Sequence, residues 1–135
     1  MKAVKTILVI EDDIDEQQFF IQALNSISNA SLYFVANNGK EALEQLNKTT
    51  VLPDLIFSDI QMPIMNGIEC LTQIKNNPAV RKIPVVMRTT DTSQAEIVRA
   101  LGALACLKKH DDMEILCREI QEAIDYDLTN LTTAN

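Results

Sequence analysis

The sequence has no long hydrophobic run, and this absence limits where the protein can work. Residues 1–5 include two lysines and lead into only five apolar-leaning residues before Glu11. A secretory signal needs an apolar core of about seven residues or more, and a membrane-spanning helix needs about twenty. We therefore expect a cytoplasmic protein that does not enter a membrane.

Cysteine and histidine are also scarce. The three cysteines, Cys70, Cys106 and Cys117, are an odd number, and they form no Cys-x-x-Cys pair and no cysteine–histidine motif. This set favours neither a disulfide framework nor a zinc site. We expect reduced thiols that fill core or near-surface positions.

Positive charge is sparse as well. Lysine and arginine number 12 against 19 acidic residues, the net charge is −7, and no basic run exceeds two residues. Nucleic-acid binding draws most of its affinity from neutralised phosphates, so this balance argues against a nucleic-acid partner. At 47% hydrophobic and 23% charged, the chain has the composition of a globular protein. We assign residues 1–135 to one domain, with a core at about 5–128 and a tail at 129–135.

The chain alternates short apolar runs with amphipathic segments. Nearly continuous apolar runs are typical of strands that are buried on both faces of a parallel sheet. Helical spacing places apolar side chains on one face of two of the intervening segments. These side chains are Phe20, Ala23, Leu24 and Ile27 in one segment and Leu116, Ile120, Ala123 and Ile124 in the other. The predicted strands are Ile7–Ile10, Leu32–Val35, Leu55–Ser58, Val85–Arg88 and Ala105–Leu107.

Candidate helix starts follow each predicted strand. A capping box pairs Ser, Thr, Asp or Asn with Glu or Gln three residues later, so that each side chain bonds the other's free backbone N–H. The candidate pairs are Asp13/Glu16, Asn38/Glu41, Asn66/Glu69, Asp91/Gln94 and Asp111/Glu114. Five strand–helix units predict an α/β fold, a (βα)5 doubly wound parallel sheet with the flavodoxin-like strand order 2-1-3-4-5.

Polar residues that can take part in binding or catalysis follow four of these strands. Open parallel sheets bind ligands beyond the carboxyl ends of their strands. Each residue has a simpler interpretation on its own: Asp13 as a helix cap, Asp59 as a turn former and Lys109 as a solvated lysine. Their joint placement at strand ends favours a functional site instead. The residues at the four ends are Glu11-Asp12-Asp13, Asp59, Thr89-Thr90 and Lys108-Lys109.

Carboxylates gathered at one edge of a sheet raise each other's pKa unless a cation compensates. Mg²⁺ is well suited, because it prefers carboxylate and carbonyl oxygens together with water. A carboxylate beside Mg²⁺ can attack phosphorus and form an acyl phosphate, while a lysine offsets charge on the transferring group. The strand ends therefore predict a site for phosphoryl transfer.

At these positions the chain resembles the receiver domains of two-component response regulators. The similarity runs from about Lys5 to Asp127, and the Asp-x-x-Met-Pro-x-Met-x-Gly loop is its most specific single element. Four segments at family spacing carry it: Ile7-Leu-Val-Ile-Glu-Asp-Asp13, Asp59-Ile-Gln-Met-Pro-Ile-Met-Asn-Gly67, Ile83-Pro-Val-Val-Met-Arg-Thr89 and Gly102-Ala-Leu-Ala-Cys-Leu-Lys-Lys109.

The resemblance implies that Asp59 accepts a phosphoryl group from a histidine kinase or phosphotransfer protein. It also implies a Mg²⁺ ion and contacts to the phosphoryl oxygens. The implied metal ligands are Asp12, Glu11 through water, Asp59 and the backbone carbonyl of Gln61, and the implied phosphoryl contacts are Thr89 and Lys109.

Such a domain is a signalling module and not an enzyme. The resemblance implies that it acts through the face of the last two helices and strand 5 on a protein partner that the sequence does not identify. Some single-domain receivers form homodimers, and we expect a receiver without an output domain here.

Three positions depart from the family pattern. Cys106 stands where receivers usually carry the Tyr or Phe of the switch, and His110 replaces the proline that often follows the lysine through a cis bond. Arg88 occupies an apolar position, so we expect its stem to pack while its head reaches solvent or a partner. All three are expected to cluster on the output face.

Two alternatives stay open. A pseudo-receiver would bind a partner without phosphorylation, and the changes at Cys106 and His110 favour it. An aspartyl-phosphate phosphatase would carry a second aspartate two residues after the nucleophile, where this chain has Gln61.

Overall fold

The computed structural model describes residues 3–133, and their side chains through residue 128. Strands and helices alternate as predicted, and the five predicted strands are present with slightly wider bounds. A 3-10 turn at Thr92–Gln94 precedes the fourth helix. The elements are β1 Lys5–Ile10, α1 Ile14–Asn25, β2 Ala30–Ala36, α2 Gly39–Asn47, β3 Leu55–Asp59, α3 Gly67–Lys75, β4 Val85–Thr89, α4 Ala95–Ala100, β5 Ala105–Lys108 and α5 Met113–Thr133. Among the described helices, none combines the length and apolar character needed to cross a bilayer.

The five strands form one parallel sheet in the order β2-β1-β3-β4-β5, which confirms the predicted flavodoxin-like fold. The strand register aligns the carboxyl ends. Ile10 pairs with Ser58, Asp59 with Arg88, and Thr89 with Lys108. Residues that follow β1, β3, β4 and β5 therefore meet at one edge of the sheet.

Two apolar cores cover the two faces of the sheet. On one face, side chains of β1, β3 and β4 pack against α1 and α5, with Phe20 and Phe57 as the largest residues. Their rings lie 5.1 Å apart between centroids. On the other face, the alternate residues of these strands pack against α2, α3 and α4. Burial of strands on both faces is the reason for their nearly continuous apolar sequences.

The predicted helix starts are largely confirmed. Asp13, Asn38 and Asn66 each accept a hydrogen bond from the backbone N–H three residues on, and Asp91 caps the 3-10 turn. The Asn66 cap alone has the reciprocal Glu69 contact of a capping box among these four.

The predicted cap at Asp111 is wrong. Asp112 accepts instead, from the backbone N–H groups of Glu114 at 2.8 Å and Ile115 at 3.2 Å. Asp112 directly precedes Met113, where α5 begins, so its carboxylate reaches the first free N–H groups. At its other end α5 continues to Thr133, into the predicted tail at 129–135. The side chains of 129–133, and residues 134 and 135, lie outside the described residues.

Candidate functional site

Three carboxylates meet at the carboxyl edge of the sheet. Glu11 and Asp12 follow β1 and Asp59 ends β3, and one oxygen from each lies within 4.8 Å of the others. Glu11 and Asp59 are buried, with 4% and 7% of their surface exposed, whereas Asp12 is exposed. The cluster is therefore closed towards the sheet and open towards solvent on the Asp12 side.

The backbone around Asp59 holds its carboxylate in place. Asp59 Oδ1 accepts a hydrogen bond from the Ile60 N–H at 2.8 Å, and the Gln61 N–H also donates to this carboxylate. Gly67 closes the loop by donating its N–H to the Ile60 carbonyl at 2.9 Å. A Cβ atom at Gly67 would lie 2.1 Å from the Asp59 carbonyl oxygen, so the loop closes this tightly only with glycine.

Lys109 brings an ammonium into the acidic cluster. Its Nζ lies 2.9 Å from Glu11 Oε1, 2.9 Å from Glu16 Oε1 and 3.2 Å from Asp59 Oδ2. Three carboxylates thus share one ammonium, which has three N–H donors. The Lys109 side chain is 9% exposed, and in such a dry setting charge pairing is strong.

Burial and pairing shift the ionisation of these groups in opposite directions. Burial raises the pKa of Glu11 to about 7 although Lys109 opposes the rise, and burial also raises the pKa of Asp59. For Lys109, burial alone would lower the pKa, but its hydrogen bonds to Glu11 and Glu16 outweigh burial and raise it. Ionised, the four carboxylates of Glu11, Asp12, Glu16 and Asp59 exceed the charge of the single lysine, so the cluster favours a further cation.

The structure brings Thr89 and Gln61 to the same edge in different ways. Thr89 is buried, and its hydroxyl donates to the Asp91 carbonyl at 3.0 Å and accepts from the Asp91 N–H at 3.2 Å. This hydroxyl is thus engaged by its own loop and not by Asp59. The Gln61 side chain is exposed, and its backbone is the part that contacts Asp59.

Only two of the positions that depart from the family pattern lie together, Arg88 and His110 on the wall of one cavity, so the prediction that all three cluster is wrong. Cys106 is buried in the core on the α3–α4 side of the sheet, whereas Arg88 contacts Phe20 of α1 on the opposite side. Cys106 pairs with Met87, the residue before Arg88 on the neighbouring strand. Since successive side chains of a strand point to opposite faces of the sheet, Cys106 and Arg88 lie on opposite faces. His110 is exposed, and it follows Lys109 through a trans bond because residues 3–133 contain no cis peptide.

The expectation that the Arg88 head reaches solvent is also wrong. Arg88 is 7% exposed, and its guanidinium carbon lies 5.7 Å from the centroid of the Phe20 ring. α1 and α5 cover this strand, so Arg88 stays largely buried and reaches only the wall of a surface cavity that it lines with Glu16 and His110.

Sequence reasoning missed the role of Glu16. It was expected to complete a capping box with Asp13, yet its carboxylate pairs with Lys109, which is 93 positions away in the sequence. The free N–H of Asp13 bonds Glu11 Oε2 at 3.2 Å instead. No local sequence pattern predicts a contact between residues so far apart in the chain.

These features agree with a match to a family model. The model described as the response regulator receiver domain matches residues 7–121. The chain belongs to the response regulator receiver family.

Curated relatives of this receiver include longer proteins. The probable transcriptional regulator ycf29 of Pyropia yezoensis is 32% identical over 137 residues, which cover 96% of this chain and 60% of that protein. The probable methanogenesis regulatory protein FilR2 of Methanothrix harundinacea is 30% identical, with 89% and 81% covered. A protein-glutamate methylesterase/protein-glutamine glutaminase of Nitrosospira multiformis is 31% identical, and this receiver spans 35% of its length.

Solved receivers have the same fold. The chemotaxis response regulator CheY4 of Vibrio cholerae is 28% identical with a TM-score of 0.77, covering 89% of this chain and 98% of that one. The cyanobacterial phytochrome response regulator RcpA is 24% identical with a TM-score of 0.81, covering 95% and 96%. The similarity to RcpA supports only the shared fold.

The acidic cluster of this receiver fits a magnesium ion. Opposite oxygens of an octahedral Mg²⁺ lie roughly 4 Å apart, which is close to the spacing of the Glu11, Asp12 and Asp59 oxygens. The exposed side of the cluster leaves room for the waters that Mg²⁺ retains. All three donors are hard oxygens, so the set suits Mg²⁺ better than a thiophilic metal.

The shifted pKa of Glu11 predicts how stability depends on pH in Mg²⁺-free buffer. A carboxyl with a folded-state pKa of about 7 and an unfolded value near 4.5 stabilises the folded state below pH 4.5. That contribution is lost as the pH rises to 7, at a cost of about 3 kcal/mol. Glu11→Gln should therefore match the wild type at pH 4.5 and exceed it by about this amount at pH 7.

Urea unfolding at a series of pH values measures this difference. Glu44→Gln, at an exposed position of α2, is the matched control and should show no such trend. Equal stability of Glu11→Gln and the wild type at pH 7 would contradict the prediction.

Proposed function

We propose that this receiver domain accepts a phosphoryl group on Asp59, with Mg²⁺ bound, from a histidine kinase or phosphotransfer protein. The observation that carries the proposal is the placement of the Lys109 ammonium 3.2 Å from Asp59 Oδ2 inside the acidic cluster. A nucleophile, an offsetting cation and a candidate metal site thus share one edge of the sheet.

Each side chain of the site has its own role in the phosphoryl transfer. An Asp59 oxygen attacks phosphorus, an O–P bond forms, and the P–N bond to the donor's histidine breaks. Lys109 offsets charge on the phosphoryl oxygens. The Thr89 hydroxyl would exchange its Asp91 contacts for a phosphoryl oxygen. Bound at Glu11, Asp12, Asp59 and the Gln61 carbonyl, Mg²⁺ would supply further positive charge at the transferring group.

We further propose that the domain works in the cytoplasm as a signalling module and passes its state on by binding another protein. The family supports this role, since receivers belong to two-component systems. Nothing in the site provides a second aspartate at position 61 to act as a general acid, so the phosphatase alternative gains no support.

Acetyl phosphate tests the proposal directly. With Mg²⁺, intact-mass spectrometry should show the gain of one phosphoryl group, and EDTA should suppress it. An unmodified wild type after prolonged incubation with Mg²⁺ would refute the proposal and favour the pseudo-receiver.

A further inference from the structure

Arg88 is a buried cation that the proposed chemistry does not use. It is 7% exposed, its Nε has no hydrogen-bond partner, and it forms no ion pair among the side chains of residues 3–128. Its guanidinium contacts the face of Phe20, which replaces little of the hydration that burial removes. A charged group held in this way is available for a stronger partner.

Acidic side chains lie near enough to this guanidinium to act on it electrostatically. They are Glu119 of α5, Glu11, Glu16 and Asp59. Arg88 also shares the wall of one surface cavity, of about 280 Å³, with Glu16, Lys109 and His110. A carboxylate at the end of the Glu16 side chain can therefore move between Lys109 and Arg88 without crossing packed core.

Lys109 is already crowded by acceptors. Oxygens of Glu11, Glu16 and Asp59 lie within 3.2 Å of its Nζ, and the oxygens of a phosphoryl group on Asp59 would compete with them for the same three N–H donors. The Glu16 side chain is 41% exposed, against 5% for Glu11 and 8% for Asp59. Water already solvates part of the Glu16 carboxylate, so Glu16 is the partner whose departure from Lys109 costs least.

We propose that Arg88 is a positioning residue that receives the Glu16 carboxylate when Lys109 turns to the phosphoryl group. This inference rests on the proposed phosphorylation of Asp59. It assigns to the buried guanidinium a role in freeing Lys109, and it makes Glu16 a competitor of the phosphoryl group for the same ammonium.

Initial phosphorylation rates with acetyl phosphate and Mg²⁺ test this exchange in four variants. Arg88→Met keeps the apolar stem without the charge, and it should slow phosphorylation roughly tenfold. Arg88→Lys keeps a cation and should stay within about threefold of the wild type. Glu16→Gln should be faster than the wild type, because Lys109 loses a charged competitor.

The double variant Glu16→Gln/Arg88→Met decides between positioning and packing. If Arg88 acts by receiving Glu16, the Arg88→Met defect disappears when Glu16 is absent, and the double variant matches Glu16→Gln. If Arg88 only packs, the tenfold defect persists in both backgrounds and the inference is overturned. Circular dichroism shows whether Arg88→Met folds, and Arg88→Lys keeps the test valid if it does not, since a tenfold loss there would also overturn the inference.

A second measurement, by NMR, does not depend on the rate of phosphorylation. In protein labelled at the Glu side-chain carboxyl carbon, addition of Mg²⁺ and beryllofluoride should shift the Glu16 resonance in the wild type and shift it differently in Arg88→Met. Identical shifts in the two proteins would overturn the inference. A wild type that takes up no phosphoryl group at all would instead refute the proposed function, and this inference with it.

Discussion

Asp59→Ala, incubated with acetyl phosphate and Mg²⁺, is expected to gain no phosphoryl group under conditions that modify the wild type. Asp59 is the one carboxylate of the cluster that combines an oxygen 3.2 Å from the Lys109 ammonium with two backbone N–H donors that fix its orientation. Asp59 is the proposed nucleophile, and its removal removes the step itself, so the loss should be complete. Lys109 keeps Glu11 and Glu16 as partners, and we expect the variant to fold.

Asp111→Ala is the matched control for this experiment. Asp111 is an exposed aspartate near the same edge, beside Lys109 and His110 on the wall of the cavity, and it makes no contact with Asp59. Its loss should leave the adduct intact. Intact-mass spectrometry compares the two variants with the wild type, and an adduct that survives in Asp59→Ala would refute the assignment of Asp59 as the phosphoacceptor.

Gly67→Ala is expected to destabilise the fold by about 3 kcal/mol and to displace the loop that follows Asp59. The added Cβ would lie 2.1 Å from the Asp59 carbonyl oxygen and 2.9 Å from Ile60 Cα, which are backbone atoms that cannot turn away. Relief requires α3 to withdraw from the end of β3. The Gly67–Ile60 hydrogen bond would then lengthen, and Asp59 would lose its fixed orientation.

Urea unfolding measures the cost, and the phosphorylation rate measures the displacement. Gly39→Ala is the matched control, since a Cβ there would meet its nearest backbone atom, the Met65 carbonyl oxygen, at 3.0 Å and not at 2.1 Å, with Cys70 Cβ at 2.8 Å and Met65 Cγ at 2.9 Å. We expect a smaller loss of stability and a smaller loss of rate for Gly39→Ala. Equal effects of the two substitutions would contradict the argument from backbone contact.

The fold could be predicted because its determinants are local. Apolar runs such as Leu55–Ser58 are strands buried on both faces, and a cap such as Asn66 marks the helix that follows. Five repeats of this pattern leave few topologies, since parallel crossovers are right-handed. The misplaced cap at Asp111 shows the limit, because Asp111 and Asp112 are equally good caps by sequence and only the packing of α5 selects one.

The candidate site was predicted only in part. Asp59, Glu11 and Lys109 follow predicted strands, so topology alone gathers them. The contact of Lys109 with Glu16, and the burial of Arg88 against Phe20, depend on how α1 and α5 sit on the sheet. Such contacts join distant parts of the chain through side-chain rotamers, and no spacing in the sequence encodes them.

The ion pairs of Lys109 also have a consequence for biosynthesis. The ammonium that joins Glu11, Glu16 and Asp59 belongs to a residue translated 98 positions after the first of them. A nascent chain that stops before β5 carries these carboxylates without their lysine, and β5 itself is an edge strand that pairs only with β4. Domains generally fold as units during synthesis. The charge balance of this site is therefore completed only after β5 has been translated and has joined the sheet.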